Sequence, residues 1–413
     1  MHLQLNLDTQ LDVIQQRTSS YFLQGAHPVS ALPYDRLVIG RRAPNDLVSI
    51  TGAGFGLLAL IVAMERGFID GGEALNRLDR MLETLEKTQR FHGAFSHFIN
   101  GTDGSCVRFT RIDDGADLVE TTFLLQGLLS MQQYLADRSG TEAARRRIDD
   151  LVTGVNWRWF ARDEHEALYW HWSPRHGWKI DQRISGWNEA LLTYVLAAGA
   201  QDHAIEGCTY HEGFARSGGM RNGGTFYDQT LPLGPDFGGP LFFAYYSFCG
   251  LDPRGLQDEY ARYDDQNVTH ARIHYAYACD NPQGYSSYGP GCWGLTACHS
   301  SSGYAVASPT NDTGIIAPSA AISSLPYLPE EVLQSLHFYR YYQGGRLWGP
   351  YGFVDSFCPH TGWAARTCLA VDQGPIICMI ENFRSGLLWE LFMSAPQVRR
   401  GLKALGFSSP HLE

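Results

Sequence analysis

Charged residues are scarce in this 413-residue sequence: Asp, Glu, Lys and Arg make up only 18%, and the formal net charge is −11. Intrinsic disorder requires high charge and few aromatic residues, so this composition excludes a disordered chain. No basic stripe is present, with 32 Lys and Arg against 43 Asp and Glu. Phosphate groups would have nothing to neutralise them, and we therefore expect no nucleic-acid partner.

Cysteine motifs are also lacking. The nine cysteines are scattered and form no CxxC pair, which predicts free thiols in a reducing compartment rather than a zinc knuckle or a redox site. The N-terminal run MHLQLNLDTQLDV has neither a basic n-region nor an apolar h-region, as a signal peptide would. The sequence as written is expected to be cytoplasmic, and a trimmed mature form would be periplasmic.

Motifs for metal, nucleotide and serine-nucleophile chemistry are missing as well. There is no HExxH, no GxSxG, no Walker A sequence and no GxGxxG unit after a strand. The run from Gly52 to Gly56 lies in an apolar helical segment, where helix packing explains its glycines better. We therefore expect no metal and no cofactor.

One uncharged segment, Leu47 to Met64, could be mistaken for a membrane span. Its 18 residues are at the lower limit for a span, and no positive flank precedes them. A buried helix is the better interpretation, and no membrane partner is expected.

Apolar helices alternate with charged ones along the whole sequence. The uncharged helix is followed by an amphipathic one with Leu75, Leu78, Leu82 and Leu85 at helical spacing. Apolar helices are then predicted at 117–134, 187–200, 239–249, 314–324 and 372–393, each followed by a more polar helix. Six buried and six half-exposed helices predict an all-α fold, a single-domain (α/α)6 barrel over residues 1–413, with residues 1–32 as an N-terminal extension or first helix.

Aromatic residues are plentiful, at 13% of the chain, and many lie in Gly-rich loops that precede the apolar helices. In an alternating barrel these connections all fall at one mouth. Flat rings stack on sugar faces, and the lack of phosphate-binding charge favours a sugar ligand. The binding candidates are the aromatic and histidine residues Phe95, His97, Trp187, Tyr288, Trp293, Trp348 and Tyr351. Packing between loops is the alternative for some of them.

Acidic residues stand in or just before the first turns of the apolar helices. Glu189 begins an otherwise apolar helix, where burial would raise the carboxyl pKa as a general acid requires. Asp117 and Glu120 share one helical face, and Asp113 lies just upstream. Asp372 is placed to orient a water as general base, and Asp355 is its rival. A single acid in the first turn of a helix is commonly a cap. The functional interpretation therefore depends on several such acids converging on one mouth.

Long runs of this sequence resemble the glycoamylase domain family. They include NDLVSITGAGFGLLAL, DLVETTFLLQGLL, the Trp-Asn-Glu at 187–189, NPQGYSSYG, LWGPYGFVDSF and DQGPIICMIENFRSG. The resemblance extends from about Pro33 to the C-terminus. That family contains endo-β-1,2-glucanases and sophorose-releasing enzymes of glycoside hydrolase family 144.

The resemblance implies an (α/α)6 barrel, no metal and inverting hydrolysis of β-1,2-glucan, either endo or with release of sophorose-type oligosaccharides. By position it makes Glu189 the general acid, Asp113, Asp117 and Glu120 cleft acids, and Asp372 the base. Three alternatives stay open: a transglycosylase or a hydrolase of another or decorated glucan, a sugar epimerase using His97 and His299, and a non-catalytic glycan-binding protein. The oligomeric state is not predicted.

Overall fold

The computed structural model describes residues 7–43, 45–162 and 166–412. Its α-helices are α1 (Leu7–Leu23), α2 (Ile50–Glu65), α3 (Gly71–Lys87), α4 (Leu118–Tyr134), α5 (Glu142–Thr153), α6 (Trp157–Phe160), α7 (Leu191–Gly199), α8 (Tyr263–Asp280), α9 (Pro318–Ile322), α10 (Pro329–Tyr341), α11 (Ala370–Arg384), α12 (Leu387–Ser394) and α13 (Pro396–Ala404).

The strands are short. They are β1 (Arg36–Val38), β2 (Leu47–Ser49), β3 (Phe98–Asn100), β4 (Cys106–Val107), β5 (Ala116–Asp117), β6 (His171–Trp172), β7 (Thr225–Phe226), β8 (Gln229–Thr230), β9 (Ala297–Ser300), β10 (Gly303–Val306), β11 (Trp348–Gly349), β12 (Gly352–Phe353), β13 (Phe357–Cys358), β14 (Trp363–Ala364) and β15 (Thr367–Leu369).

The helices form two concentric layers, and the predicted (α/α)6 barrel is confirmed. The inner ring consists of α2, α4, α7, the segment 241–249, α9 and α11. In this ring α2 packs on α4 and α11, α4 on α7, and α9 on α11, and Ser247 of the segment bonds to the start of α7. The outer helices α1, α3, α5, α13, α8 and α10 cover them. Inner helices are buried on every side: α2 is buried from Ile50 to Ala63. This burial explains the low charge of the sequence.

Glycine allows the inner helices α2 and α4 to approach closely. A Cβ atom on Gly54 would lie 2.1 Å from the carbonyl oxygen of Phe123, and one on Gly127 would lie 2.3 Å from the carbonyl oxygen of Gly54. The glycine run in α2 therefore serves helix packing, as predicted. Among the described residues, no helix is long and apolar enough to cross a membrane, and α2 itself has 16 residues.

The fourth inner element is not the helix predicted at 239–249. It consists of short 3-10 turns at Leu241–Ala244 and Ser247–Cys249. Neighbouring side chains bind its carbonyl groups: Tyr327 Oη donates to Ala244, Gln126 Nε2 to Ser247 and Trp389 Nε1 to Phe248. Side-chain donors thus satisfy acceptors that an α-helix would satisfy through its own amides.

The last predicted inner helix, 372–393, is two helices. Gly386, with φ of 75°, lies between the end of α11 at Arg384 and the start of α12 at Leu387. The final helix also lies elsewhere than the repeat suggests, because α13 packs on α7. The outer position between α11 and α2 is occupied by α1, so part of the predicted N-terminal extension belongs to the barrel wall.

Ion pairs hold two buried acids outside the mouth. Asp252 pairs with Arg254 and His411, and the next helix, α8, starts at Tyr263. Glu381 of α11 pairs with Arg66 at 2.8 Å. Arg384 pairs with Asp8 and Asp12 of α1.

Short antiparallel strand pairs tie neighbouring loops together at one mouth of the barrel. β5 pairs with β6, β2 with β3, and β1 with β15. These pairs join successive connections that lead into inner elements. The loops predicted to share a mouth therefore do so, and they hold the acidic side chains described next.

Candidate active site

Glu189 lies in a turn directly before α7, at the mouth. Asn188 Oδ1 accepts from the backbone N–H of Ala190 at 2.9 Å and stabilises this turn. The carbonyl oxygen of Glu189 accepts from Ser247 Oγ at 2.5 Å, which fixes its backbone to the neighbouring inner segment. Burial, assisted by the charges of Asp117 and Glu120, raises the pKa of the Glu189 carboxyl to about 7. The carboxyl can therefore carry a proton near neutral pH.

A cluster of two histidines and three acids, His97, Asp113, Asp117, Glu120 and His171, forms one side of the mouth; we call it the histidine cluster. Asp117 is its centre, with no exposed surface. The β5–β6 pair places His171 opposite Asp117, and His171 Nε2 lies 3.3 Å from Asp117 Oδ2. His97 Nδ1 lies 3.0 Å from the same oxygen.

The remaining acids of the histidine cluster connect it to the backbone of the barrel. The other oxygen of Asp117 caps α4 by accepting from the N–H groups of Val119 and Glu120, at 3.1 and 3.0 Å. Glu120 Oε2 accepts from the Thr51 N–H at 2.7 Å, at the start of α2. Glu120 Oε1 lies 3.6 Å from His97 Nε2, so the cluster joins the N-termini of two inner helices.

Protons in the histidine cluster are held by the histidines. Burial opposes charge on His97, but the Glu120 and Asp117 carboxylates outweigh it and raise the His97 pKa to about 10. The pKa of His171 is raised in the same way, since Asp117 outweighs its burial. Burial also opposes ionisation of Asp117, yet hydrogen bonds from His171 and His97 hold its pKa well below the usual value.

The histidine cluster contains ligand atoms close enough for a cation, in the sets His97, Asp117, Glu120 and Asp113, Asp117, His171. Both ring nitrogens of His97 face carboxylate oxygens, and they serve as N–H donors. A nitrogen that carries a proton has no lone pair to offer a metal. This donor set fits an ion-pair network better than a metal centre.

A pair of buried acids, Asp355 and Asp372, forms the other side; we call it the carboxyl pair. Their carboxyl groups lie near enough to influence each other's ionisation, and each residue is at most 2% exposed. Asp355 Oδ2 accepts from the His299 N–H at 2.7 Å, and Asp372 Oδ1 accepts from Ser319 Oγ at 3.4 Å. Burial, with the neighbouring Asp355 charge, raises the Asp372 pKa well above its usual value.

Tyr246, in the fourth inner element, is an aromatic residue within electrostatic reach of two of these acids. Tyr246 packs against Phe55 of α2 and Phe123 of α4, with ring centroids 5.5 and 5.6 Å apart. Burial raises the Tyr246 pKa well above its usual value, and the charges of Asp372 and Glu189 contribute to this. The tyrosine therefore lies within electrostatic reach of both proposed catalytic acids.

Three of the aromatic residues expected to bind sugar are core residues instead. Phe95 and Trp293 have no exposed surface and Trp187 exposes 5%, with its ring against Phe248 and Tyr263. Stacking on a sugar requires an accessible ring face, so packing between loops is the correct interpretation for these three. Their backbones still shape the mouth, since the Asp117 N–H donates to the Phe95 carbonyl at 2.7 Å.

Tyr288, Trp348 and Tyr351 are also committed to structural contacts. Tyr288 Oη donates to Asp312 Oδ1 at 2.8 Å. Trp348 lies beneath the guanidinium of Arg340, 4.5 Å from the ring centroid, and Tyr351 packs edge-on against Tyr21 of α1. The structure therefore places these two half-buried rings against the outer helices α10 and α1.

The exposed rings of the mouth are ones that the sequence interpretation missed. Phe109 is 55% exposed and stacks on His97, with centroids 4.5 Å apart and an interplanar angle of 9°. Tyr304, on the β9–β10 hairpin, is 49% exposed, and the charges of Asp372 and Asp355 contribute to its raised pKa. The missed signal was the loop context: RFTRIDD carries a single ring close to Asp113, and SSGYAV carries a single ring in a run rich in Ser and Gly.

The fold and the mouth together define a class: an (α/α)6 barrel whose mouth holds a protonatable glutamate, further acids and exposed rings, as acid–base chemistry on a sugar requires. The Glycoamylase family model matches residues 181–396. The chain belongs to this family.

Three relatives illustrate the likeness. An exo β-1,2-glucooligosaccharide sophorohydrolase (non-reducing end) of Parabacteroides distasonis is 39% identical over 96% of this chain, which spans 57% of that relative's length. The endo-β-1,2-glucanase of Chitinophaga pinensis, solved with sophorotriose and glucose, is 42% identical with a TM-score of 0.96, covering 99% of this chain and 100% of its own. A β-1,2-glucanase structure from P. distasonis is 37% identical with a TM-score of 0.93, over 97% of this chain and 60% of its own.

Proposed function

We propose that this chain hydrolyses the β-1,2-linkages of glucan or its oligosaccharides, with Glu189 as the general acid. The observation that carries the proposal is the position of Glu189: at the mouth, beside the histidine cluster, with a pKa of about 7. A carboxyl of this kind is protonated where most other carboxyls have ionised. It can therefore donate to a leaving-group oxygen near neutral pH.

The proposed reaction is an inverting displacement. Glu189 gives its proton to the glycosidic oxygen as the bond from that oxygen to the anomeric carbon breaks. A water molecule forms the new bond to that carbon from the opposite face and loses a proton to a base. Asp372 is the proposed base, because its charge and that of Glu189 both act on the buried Tyr246, so the two acids belong to one site.

The substrate follows from the relatives. Named relatives that are 37–42% identical act on β-1,2-glucan or β-1,2-glucooligosaccharides, and one of them was solved with sophorotriose. Their identity extends over almost the whole of this chain. Phe109 and Tyr304 offer the exposed ring faces that a glucan chain requires for stacking.

A sugar epimerase using His97 and His299 is disfavoured by the geometry of His299. A guanidinium only donates, and Arg36 Nη1 lies 3.1 Å from His299 Nε2, so this nitrogen accepts. Its other ring nitrogen, Nδ1, lies 3.3 Å from Thr367 Oγ1 and 3.5 Å from Asp355 Oδ2. Neither nitrogen is free to exchange a proton with a sugar, and His97 belongs to the histidine cluster.

The decisive variant is Glu189→Gln, which keeps the shape of the side chain and removes its acidity. We expect kcat for release of sophorose-type products from β-1,2-glucan to fall by about 10³-fold or more. Glu206→Gln is the matched control, because this exposed glutamate lies beyond α7, at the opposite end of the barrel. Full activity of Glu189→Gln would disprove the assignment of the acid.

A panel of β-1,2-, β-1,3- and α-glucans, with products followed by chromatography and optical rotation, tests the substrate and the stereochemistry. We expect cleavage of β-1,2-glucan with initial release of the α-anomer. Early mixtures of long products would indicate endo action, and early disaccharide would indicate release from an end. Products longer than the substrate would indicate a transglycosylase. An unchanged polymer across the whole panel would favour a non-catalytic glycan-binding protein and contradict the proposal.

A further inference from the structure

We propose that Asp355 and Asp372 share a single proton and act as one base, with His299 as the positioning residue of Asp355. The role as base rests on the proposed function; the sharing of a proton does not. Sequence interpretation treated the two aspartates as rivals for the same task. The geometry makes them partners.

The first observation concerns two oxygens without partners. Asp355 Oδ1 and Asp372 Oδ2 are buried and have no hydrogen-bond partner apart from this pairing among the described residues, while Asp355 Oδ2 and Asp372 Oδ1 are bonded elsewhere. The two carboxyl groups lie near enough to act on each other as charges and as hydrogen-bonding groups. Two ionised carboxylates could not form a hydrogen bond with each other, because both are acceptors only. One proton between the unpartnered oxygens satisfies both of them.

The second observation concerns charge. In residues 7–43, 45–162 and 166–412, neither carboxylate forms an ion pair with Lys or Arg, and the basic side chain in contact with Asp355 is His299, whose Nε2 accepts from Arg36. Two adjacent buried charges of one sign, without a cation, are strongly unfavourable. A pair carrying one proton bears a single negative charge.

The third observation explains which aspartate is ionised. Asp355 Oδ2 accepts from the His299 N–H at 2.7 Å and from Ser356 Oγ at 3.3 Å, and His299 Nδ1 lies 3.5 Å away. Arg36 holds His299 in the tautomer that keeps its proton on Nδ1. These donors favour charge on Asp355, so the shared proton resides mainly on Asp372.

Other titratable groups around the carboxyl pair do not supply a cation. They are Asp35 and Arg36 from the loop before α2, Tyr21 from α1, Tyr245 from the inner segment, Cys298 and His299 from β9, Tyr304 from β10 and Cys368 from β15. Arg36 is ion-paired with Asp35 at 3.0 Å and contacts His299, not the carboxyl pair.

The reaction step balances as follows. The water oxygen bonds to the anomeric carbon, and its proton moves to the carboxyl pair, which becomes neutral with two protons. The Glu189 proton has meanwhile passed to the departing glycosidic oxygen. Release of one proton from the pair to water and uptake of one by Glu189 restore both groups. No oxidant, reductant or further reactant is required.

Infrared difference spectroscopy at neutral pH, without substrate, tests the shared proton directly. In a Glu189→Gln background, which removes the carboxyl of Glu189, we expect one protonated-carboxyl band to be lost in Asp372→Asn. The same band should be lost in Asp355→Asn, because the Asn amide donates to Asp372 and favours its ionised form. The double variant should lose no more than either single variant.

Two infrared results would overturn the sharing. Retention of the band in Asp355→Asn would mean that Asp372 is protonated by burial alone. No loss in either variant would mean that the pair is ionised. Circular dichroism establishes whether each variant is folded. If Asp372→Asn does not fold, the band in Asp355→Asn alone shows whether the two aspartates share a proton.

The positioning role of His299 is tested by pH profiles on the intact protein. His299→Leu removes the Nδ1 donor, so the acidic limb of kcat/KM should move to higher pH while KM changes little. His299→Asn keeps a donor near the place of Nδ1 and should restore the wild-type limb. A fall in activity without any shift of the limb would indicate a merely structural role and would overturn the positioning role. If the wild-type protein showed no glucanase activity, the proposed function would be refuted, but the infrared evidence for a shared proton would still hold.

Discussion

The two sides of the mouth deal with buried carboxylates in opposite ways. In the histidine cluster, Asp117 is fully buried and ionised, with His97 Nδ1 at 3.0 Å and His171 Nε2 at 3.3 Å. In the carboxyl pair, Asp372 is just as buried but has only Ser319 and Asp355 as partners. The first side neutralises its acid with cations, and the second does so with a proton.

This difference has a functional consequence. An acid that two histidines hold ionised can bind and orient a substrate. It does not readily take up a proton, because the histidines lower its pKa. An acid that retains a proton near a second carboxylate can exchange protons at little cost. The histidine cluster therefore suits substrate binding and control of Glu189, while the carboxyl pair suits proton transfer.

The largest expected effect separates the two sides by stability. Asp117→Asn removes the carboxylate that His97 and His171 share, and we expect it to lower the free energy of unfolding by about 3–5 kcal/mol. Asp372→Asn replaces the protonated member of the carboxyl pair with a neutral amide and should change it by no more than about 1 kcal/mol. Urea unfolding at pH 7 measures both. Equal losses in the two variants would contradict the comparison.

The pH dependence of stability is the next test of the histidine cluster. Although burial opposes its charge, the Glu120 and Asp117 carboxylates raise the His97 pKa from its ordinary value of 6.5 to about 10, so folding keeps its proton bound. Its contribution is complete below about pH 6.5 and is lost as the pH rises through about 10, a loss of up to about 5 kcal/mol. His97→Gln should flatten the unfolding free energy over this range, whereas His337→Gln, at an exposed histidine of α10, should not.

Glu189 should show the cost of burying an acid without a cationic partner. Burial raises its pKa from 4.5 to about 7 on folding, so its charge destabilises the fold as the pH rises through this interval. Glu189→Gln should therefore be more stable than the wild type by about 3 kcal/mol at pH 8, and equally stable at pH 4. A variant that is less stable at pH 8 would show that Glu189 makes stabilising contacts as an anion.

The smallest effect concerns the exposed ring that covers the histidine cluster. Phe109→Ala should raise KM for β-1,2-glucan by about 2- to 10-fold, as expected for loss of one stacking contact, while kcat is largely retained. Tyr341→Ala is the control, because this ring is 64% exposed on the outer helix α10. Initial rates over a range of glucan concentrations give both constants. An unchanged KM would mean that Phe109 only shields His97.

Much of this could be predicted from the sequence, and the failures have physical causes. A helix that is buried on all sides is encoded by an uncharged run of residues, so the inner ring could be predicted. The prediction of a helix at 239–249 was wrong because Gln126, Tyr327 and Trp389 bind the carbonyl groups of this segment, and these residues are distant in sequence. The acids were found because first turns of inner helices share one mouth. The accessibility of rings could not be predicted, and Phe95, Trp187 and Trp293 proved to be core.

By itself, the sequence determined the alternation of buried and exposed helices, the common mouth and the acids that meet there, because each depends on local pattern and chain direction. Only the tertiary structure decided which acids keep their protons. A carboxyl pKa depends on burial and on neighbours that arrive from other elements: His171 beside Asp117, Asp355 beside Asp372, and Arg36 behind His299. These contacts join residues as much as 263 positions apart, and no local pattern encodes them.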